Sequence, residues 1–436
     1  MAMVLFCSPT STSRATRMAR FLPSRLSYAH VLLLLLIGSA TSDFDYLTCS
    51  DEEDNDGLRD TPGAPVCSSQ DRKALLQFKS AISSDPNHVL VDWHTSNSNC
   101  CNWTGVTCDG ATGRVVRLKL NNKNLKGRLS PAISGLSSLQ VLILDDNDLF
   151  GTIPSSLGTL GSLLRLCLSN LPSLSGPIPE SFGHLTNLEL LDLSSDALSG
   201  PLPSSIAGMF SLQRLYLYGN NISGTIPSSF GLLSQLYKAG LSNNQIEGRV
   251  PDSFAFGLTS LVYLDLSNNK ITGLPKDLSS LSNLQLLRMS NNPLMSGDSV
   301  EGIATAPRIS EIHLSSCMIK GPFPAWVSRL PQPDPRYISE EVTPSLDLSN
   351  NAISGEIPPA LGNLTNLHRL SLENNKLRGS IPTSFVQLQS LQRFNVSYNN
   401  LSGKIPQTSP FTTFDKSAYI PGNRGLCGLP LGPCKP

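Results

Sequence analysis

The sequence is poor in charge, and the charges that it has cancel. Only 15% of the 436 residues are Asp, Glu, Lys or Arg, with 33 basic and 33 acidic residues. Soluble domains carry about 25% charged residues, so a largely neutral surface is expected. Without a global excess of positive charge, the composition does not favour binding to nucleic acid or to an anionic membrane.

Long apolar runs are also scarce. The run 31–37, which is valine, five leucines and isoleucine, follows four arginines and precedes Gly38-Ser39-Ala40. This order is typical of a cleaved secretory signal, and seven residues are too few to span a bilayer. We therefore expect secretion, with an uncleaved signal anchor as the alternative. After signal removal, no transmembrane helix is expected.

Catalytic signatures are missing as well. We find no Gly-rich phosphate loop, no His-Glu-x-x-His and no Gly-x-Ser-x-Gly elbow. Asp192, Asp265 and Asp347 recur at equivalent positions, but strands spaced at about 4.8 Å would put the first two roughly 14 Å apart, too far for a glycosidase pair. We interpret them as solvated carboxylates. No catalytic residue, metal site or cofactor is predicted, and an enzyme is not expected.

What the sequence has in abundance is repetition. The pattern Leu-x-x-Leu-x-Leu-x-x-Asn-x-Leu-x-Gly-x-Ile-Pro recurs about every 24 residues, and is complete from Leu139 to Pro154. Such a period predicts a solenoid of stacked coils. Twelve repeats begin at Val115, Leu139, Leu163, Leu188, Leu212, Leu236, Leu261, Leu284, Ile309, Thr343, Leu367 and Leu391.

Each element of the repeat has a physical role. The alternating leucines place one face of a short strand in the core, and the strands stack into a parallel sheet. The ninth position is usually asparagine, whose buried amide must bond neighbouring backbone, because leaving it unsatisfied costs about 1–3 kcal/mol. These asparagines are Asn147, Asn220, Asn244, Asn269, Asn292, Asn351, Asn375 and Asn399.

Two repeats depart from the pattern. Repeat 8 loses its Gly-x-Ile-Pro, and residues 331–335, Pro-Gln-Pro-Asp-Pro, stretch repeat 9 to 34 residues. We expect a loop that bulges from the regular coil. It is either a neutral insertion at the rim of the solenoid or a small recognition loop of the kind that solenoids carry.

Both ends of the repeat array carry features of a cap, which a solenoid needs because its terminal coils expose core. At the front, residues 68–71 are interpreted as a capping box that opens a helix, with Trp93 and Trp103 covering the first coil. The apolar face of that helix is predicted to be Ala74, Leu75, Phe78, Ala81 and Ile82.

The cysteines carry a resemblance to a known family. The spacing Cys67-x32-Cys100-Cys101-x6-Cys108, with Asn102-Trp103 inside it, closely resembles the N-terminal cap of plant extracellular leucine-rich-repeat proteins. The resemblance implies Cys67–Cys100 and Cys101–Cys108 disulfides. The segment Cys427–Cys434 likewise resembles the C-terminal cap and implies a third bridge.

Three further cysteines have no place in this scheme. Cys317 stands at an asparagine position and is predicted to be a buried, reduced thiol. Cys167 is at an outward strand position, and Cys49 lies among the eight acidic residues of 43–60. A Cys49–Cys167 bridge and an intermolecular bond stay open as alternatives.

The resemblance covers residues 67–436 and implies a leucine-rich-repeat solenoid: an α/β fold that curves as a right-handed superhelix with a concave parallel sheet. Within the family the chain looks like polygalacturonase-inhibiting proteins, DNA-damage-repair/toleration-like proteins and receptor-like protein ectodomains. The expected division is a signal peptide (1–40), an acidic flexible segment (41–66), an N-terminal disulfide cap (67–114), leucine-rich repeats (115–406) and a C-terminal disulfide cap (407–436).

The expected function is recognition at the plant cell surface or wall, in signalling or defence. The partner would be an extracellular protein such as a receptor kinase or pathogen enzyme, a peptide, or a wall polysaccharide. Alternatives are an inhibitor of pathogen pectin-degrading enzymes and a structural wall protein. Glycosylation is expected in the apoplast or cell wall, at the sequons Asn102, Asn221, Asn363, Asn395 and Asn400.

One part of the concave face is favoured for binding. Repeats 5 to 7 place aromatic and basic side chains at outward positions, and Tyr and Arg are enriched at binding hot spots. We expect these side chains to contribute little to the core. The candidate ligand-binding residues are Arg214, Tyr216, Tyr218, Tyr237, Lys238 and Tyr263. A weaker candidate is an interrupted basic column, formed by Arg117, Arg165, Arg214, Lys238, Arg369 and Arg393.

Overall fold

Every repeat opens with a short strand whose leucines enter the core. The computed structural model describes residues 66–96, 99–294, 297–332 and 334–434; the predicted signal peptide lies outside them. In repeat 5, Leu212, Leu215 and Leu217 are fully buried. Because one coil cannot cover its own leucines, neighbouring coils bury each other's apolar faces. The core therefore runs along the whole stack of repeats.

The strands form one main sheet of thirteen members in sequence order. The first pair is antiparallel and all later pairs are parallel, as the repeat predicts. The strands are Val106–Cys108, Val115–Lys119, Val141–Ile143, Arg165–Cys167, Leu190–Asp192, Arg214–Tyr216, Lys238–Gly240, Tyr263–Asp265, Leu286–Arg288, Glu311–His313, Ser345–Asp347, Arg369–Ser371 and Arg393–Asn395.

The predicted asparagine ladder is confirmed. Asn244 is typical: its Nδ2 donates to the carbonyl oxygens of Leu217 (2.9 Å) and Leu241 (3.2 Å), and its Oδ1 accepts from the Ile222 N–H (3.0 Å). Each amide thus bonds backbone of its own coil and of the preceding one. Asn423, which sequence analysis missed, continues the ladder into the C-terminal cap.

Extended segments after the ladder form two smaller sheets that the sequence did not predict. In most of these segments a glycine adopts positive φ, for example Gly224 at 74°, a conformation that favours glycine. The sheets are separated at repeat 8, where the motif is lost. The first contains Ile82–Ser84, Lys126–Arg128, Asp148–Thr152, Ser173–Gly176, Ala197–Pro201, Asn221–Thr225, Gln245–Arg249 and Lys270–Gly273; the second contains Lys320–Pro322, Ala352–Glu356, Lys376–Gly379, Asn400–Lys404 and Gly425–Cys427.

Helices complete the coils. Among the described residues, two helices are α-helical, α1 (Ser69–Ser80) and α2 (Asp252–Gly257), and no described helix combines the length and apolarity needed to cross a membrane. Most repeats turn through a short 3-10 helix that follows the proline. The 3-10 helices are Cys100–Asn102, Pro131–Gly135, Ser155–Thr159, Glu180–His184, Ser204–Gly208, Ser228–Leu232, Gly297–Thr305, Ala325–Arg329, Pro335–Tyr337, Pro359–Asn363, Thr383–Gln387 and Lys416–Ala418.

The N-terminal cap corrects the expected capping box. Ser68 is the N-cap of α1 but makes no side-chain capping bond. The fully buried Asp71 instead accepts two hydrogen bonds from the Arg114 guanidinium, both 2.9 Å, and one from the Val115 N–H at 2.8 Å. The Ser68 N–H, which a capping box would direct to the Asp71 carboxylate, donates instead to the Gly113 carbonyl oxygen at 3.0 Å. Asp71 therefore joins the cap to repeat 1.

The apolar face of α1 is shorter than predicted. Ala74, Leu75 and Phe78 are buried, but the helix ends before Ala81, and Ile82 begins a strand. The predicted tryptophan cover is confirmed, since both rings are buried and stack at 5.5 Å between ring centroids.

Three disulfides lie in the caps. They join Cys67 to Cys100, Cys101 to Cys108, and Cys427 to Cys434, the pairs that the family resemblance implies. Cys317 is a buried free thiol, as predicted, and burial raises its pKa to about 12. Cys167 is disulfide-bonded, and Cys49 lies outside the described residues.

Candidate ligand-binding face

The candidate residues of repeats 5 to 7 lie on adjacent strands of the main sheet. Strand register sets Arg214 beside Lys238, and Lys238 beside Tyr263. The rings of Tyr237 and Tyr263 meet edge to face, with centroids 5.8 Å apart. The Lys238 Nζ lies 5.3 Å from the Tyr237 centroid and 4.7 Å from that of Tyr263, which is within cation–π range. The sequence prediction that these side chains cluster is therefore correct.

Their expected exposure is wrong. Lys238, Tyr216 and Tyr263 are buried, with 5%, 4% and 2% of their surface exposed, and Arg214, Tyr218 and Tyr237 are half-buried. Burial raises the pKa of the Tyr216 and Tyr263 hydroxyls above their ordinary value. Side chains that are this deeply buried contribute to packing as well as to any binding surface.

Lys238 and Tyr263 are buried because the stretched part of repeat 9 covers them. Residues 334–343, here called the crossing loop, fold back over the outward face of the main sheet. The Glu341 carboxylate lies 2.7 Å from the Lys238 Nζ, and the Tyr263 hydroxyl bonds with Ser339 and Glu341. The stretched repeat therefore places residues 339–343 on the candidate binding face, and the interpretation of the stretch as only a neutral insertion at the rim is wrong for this part.

Two further contacts hold the crossing loop to the sheet. The Ser339 N–H donates to the Gln285 Oε1 at 2.7 Å, and the Thr343 N–H donates to the Glu311 Oε2 at 2.9 Å. Gln285 directly precedes the strand Leu286–Arg288 and Glu311 begins the strand Glu311–His313, and both strands lie between Lys238 and the loop in the order of the main sheet. The loop therefore follows the face across repeats 9 to 6.

Glu311 is the buried anchor of this arrangement. Its second oxygen, Oε1, accepts from the Arg288 Nη2 at 3.0 Å and lies 2.9 Å from the His313 Nε2. Burial alone would raise the pKa of Glu311, but the hydrogen bond and charge of His313 and the charge of Arg288 outweigh it, so the pKa is below its ordinary value. An ionised Glu311 can accept the loop N–H and both side-chain donors together.

The crossing loop also presents polar and aromatic side chains to solvent. Tyr337 is 58% exposed, with the guanidinium groups of Arg308 and Arg336 at 5.2 and 5.8 Å from its ring centroid. Arg336 also pairs with Asp334. A partner that approaches repeats 5 to 9 would meet the crossing loop together with the half-buried Tyr218 and Tyr237.

The basic column is divided by strand register. Val141 stands between Arg117 and Arg165, and Leu190 between Arg165 and Arg214. Within it, only the pairs Arg214–Lys238 and Arg369–Arg393 are direct neighbours. A continuous basic track for a polyanion is therefore not formed.

The outward aspartates are not the solvated groups that were expected. Asp192 and Asp265 are buried, with 2% and 5% of their surface exposed. Asp192, Asp265 and Asp347 each accept a bond from the N–H of the serine two residues later. These carboxylates therefore fix the ends of their own strands.

The sequons differ in exposure. Asn102, Asn221, Asn363 and Asn400 are exposed, whereas Asn395 is half-buried. The Asn395 Oδ1 accepts bonds from the N–H and hydroxyl of Ser397.

Comparison with known proteins decides the family. The leucine-rich-repeat N-terminal domain profile matches residues 68–109, and leucine-rich-repeat profiles match 138–160, 211–233, 234–294 and 344–401. The chain is a leucine-rich-repeat protein. Receptor-like protein 50 of Arabidopsis thaliana is 40% identical over 138 residues, which are 30% of this chain and 15% of that relative. The aligned segments cover 10–15% of the curated relatives' length.

Solved structures of the same family share the solenoid. The crystal structure of PEPR1–AtPEP1 has a TM-score of 0.64 at 27% identity and covers 83% of this leucine-rich-repeat protein and 55% of its own chain. The ectodomain of the receptor kinase GASSHO1/SCHENGEN3 from Arabidopsis thaliana, in complex with Casparian Strip Integrity Factor 2, has a TM-score of 0.51 at 30% identity, covering 77% and 48%. The expected fold and the resemblance to plant extracellular leucine-rich-repeat proteins are confirmed.

Proposed function

We propose that this leucine-rich-repeat protein is a secreted recognition protein of the plant cell surface, and that it binds a peptide or protein partner over repeats 5 to 9 of the main sheet. The observation that carries the proposal is the cluster of Lys238, Tyr237 and Tyr263 on adjacent strands. Aromatic and cationic side chains that are held rigidly on a sheet are typical of binding hot spots.

The comparisons support this choice. The GASSHO1/SCHENGEN3 ectodomain is a membrane receptor kinase ectodomain in complex with a named factor. The relative of 40% identity is a receptor-like protein. One name is that of a receptor kinase ectodomain and the other that of a receptor-like protein, and we extend recognition to this chain because of its own clustered side chains.

The test is an interaction screen with the secreted protein. The full chain would be expressed in plant cells, purified from the medium and passed over arrays of plant receptor-kinase ectodomains, secreted peptides and fungal polygalacturonases. N-terminal sequencing of the secreted product would locate the signal cleavage, expected after residue 40. Saturable binding to an ectodomain or peptide supports the proposal. Binding to polygalacturonases alone, with inhibition of their activity, would instead support the inhibitor alternative.

A further inference from the structure

Lys238 has an unusual environment for a lysine. Only 6% of its side chain is exposed, and a buried ammonium is costly unless it is paired. Here its charge is compensated by the faces of Tyr237 and Tyr263 and by the Glu341 carboxylate at 2.7 Å. The result is a cationic site with aromatic sides, occupied by a carboxylate.

The two halves of this ion pair differ in rigidity. Lys238 and Tyr263 are on main-sheet strands that are paired on both sides. Glu341 comes from the crossing loop, and 51% of its side chain is exposed. The loop backbone is held by hydrogen bonds to Gln285 and Glu311. The cation is therefore fixed in place, and the carboxylate is the exchangeable partner.

We propose that Lys238, Tyr237 and Tyr263 form a carboxylate-binding site whose resident ligand is Glu341, and that an acidic peptide segment of the partner displaces it. The crossing loop then acts as an internal competitor that keeps the site closed until such a segment arrives. This inference rests on the proposed function, because it names the chemistry of the partner. A tethered loop competes at an effective concentration of about millimolar, so free acidic peptides bind the closed protein weakly.

The test uses the loop's own sequence as probe. A fluorescent peptide of residues 334–343, Asp-Pro-Arg-Tyr-Ile-Ser-Glu-Glu-Val-Thr, would be titrated against the wild-type full chain and against Glu341→Gln. Because Glu341→Gln removes the resident carboxylate, we expect the peptide to bind this variant at least ~10-fold more tightly than wild type. A probe with glutamine in place of both glutamates should lose this gain. Glu340→Gln is the matched control variant, because Glu340 is exposed and adjacent.

A second measurement keeps the result independent of folding defects. Amide hydrogen exchange at Ser339 and Thr343 reports whether the loop leaves the sheet. Peptide binding should speed exchange at both amides, and the double variant Tyr237→Leu/Glu341→Gln, which retains Lys238, should bind the probe several-fold more weakly than Glu341→Gln alone. Equal binding to wild type and Glu341→Gln, equal binding of the glutamine probe, or unchanged exchange would overturn the proposal. None of these results depends on the partner screen. A failure of the carboxylate-site proposal can therefore be distinguished from a failure of the proposed function.

Discussion

Asp196 interrupts the asparagine ladder in repeat 4. Its Oδ1 accepts from the Leu171 N–H at 2.7 Å, but its Oδ2 is buried without a hydrogen-bond partner. In repeat 5 the corresponding atom is the Asn220 Nδ2, which donates to backbone carbonyl oxygens such as that of Leu217 at 3.1 Å. A carboxylate cannot donate there unless it is protonated. Burial, aided by the charge of Asp192, raises the pKa of Asp196 to about 9.

The loss of stability that results from an aspartate at this asparagine position can be worked out from its pKa. The unfolded chain releases the proton near pH 3.8, whereas the folded chain retains it to about pH 9. The free energy of unfolding therefore falls as pH rises between these values. At about 1.4 kcal/mol per pKa unit, retaining the proton at pH 7 costs up to about 4 kcal/mol. Asp196→Asn removes the titration and supplies the missing donor, so we expect stabilisation of about 2–4 kcal/mol at pH 7 and about 1 kcal/mol at pH 5.

Thermal and guanidinium unfolding of both proteins between pH 4.5 and 8 would measure the difference. The reciprocal variant Asn220→Asp should be destabilised, and the loss should grow with pH. Asp148→Asn serves as a surface control, since its side chain is 46% exposed and pairs with a surface lysine. If Asp196→Asn gave no gain at pH 7, or a gain that did not shrink towards pH 4.5, the ladder argument would be refuted.

Three further variants test the caps and the crossing loop. Cys101→Ser opens a short cap loop worth about 2–3 kcal/mol and should lower secreted yield, measured by immunoblot; normal yield and melting temperature would contradict this. Asp71→Ala leaves Arg114 without its buried carboxylate and should cost about 3–5 kcal/mol in thermal unfolding, whereas the exposed control Asp298→Ala should change little. Glu311→Gln removes the charge that holds the loop at Thr343 and should speed exchange of that amide several-fold; unchanged exchange would show that Glu311 is no anchor.

The parts of the fold that could be predicted from sequence are local and periodic. The strand leucines, the ladder asparagines and the buried Cys317 follow from the 24-residue pattern, because every coil meets nearly the same environment. The family spacing of the cap cysteines gave the pairs seen in the structure. The second and third sheets were missed because their strands are short and most of them contain a glycine with positive φ.

Non-local contacts explain the remaining differences. Glu341 and Lys238 are 103 residues apart, and no local pattern indicates that a proline-rich insertion will return to repeat 6. Asp71 pairs with Arg114 over 43 residues, although its position favoured a role in the helix cap. In the candidate site, the clustering of tyrosines and cations was predictable from strand register. Their burial was not, because it depends on the course of the crossing loop.

The central claim is that repeats 5 to 9 of the main sheet recognise the partner. Its most direct test is the dissociation constant of the partner found in the interaction screen, measured for two double variants. Arg214→Ala/Tyr218→Ala changes half-buried side chains at the edge of the cluster, and Gln392→Ala/Arg393→Ala changes exposed ones on repeat 12. We predict at least ~10-fold weaker binding for the first pair and a change within about twofold for the second. Wild-type affinity in the first pair, or an equal loss in both, would contradict the claim.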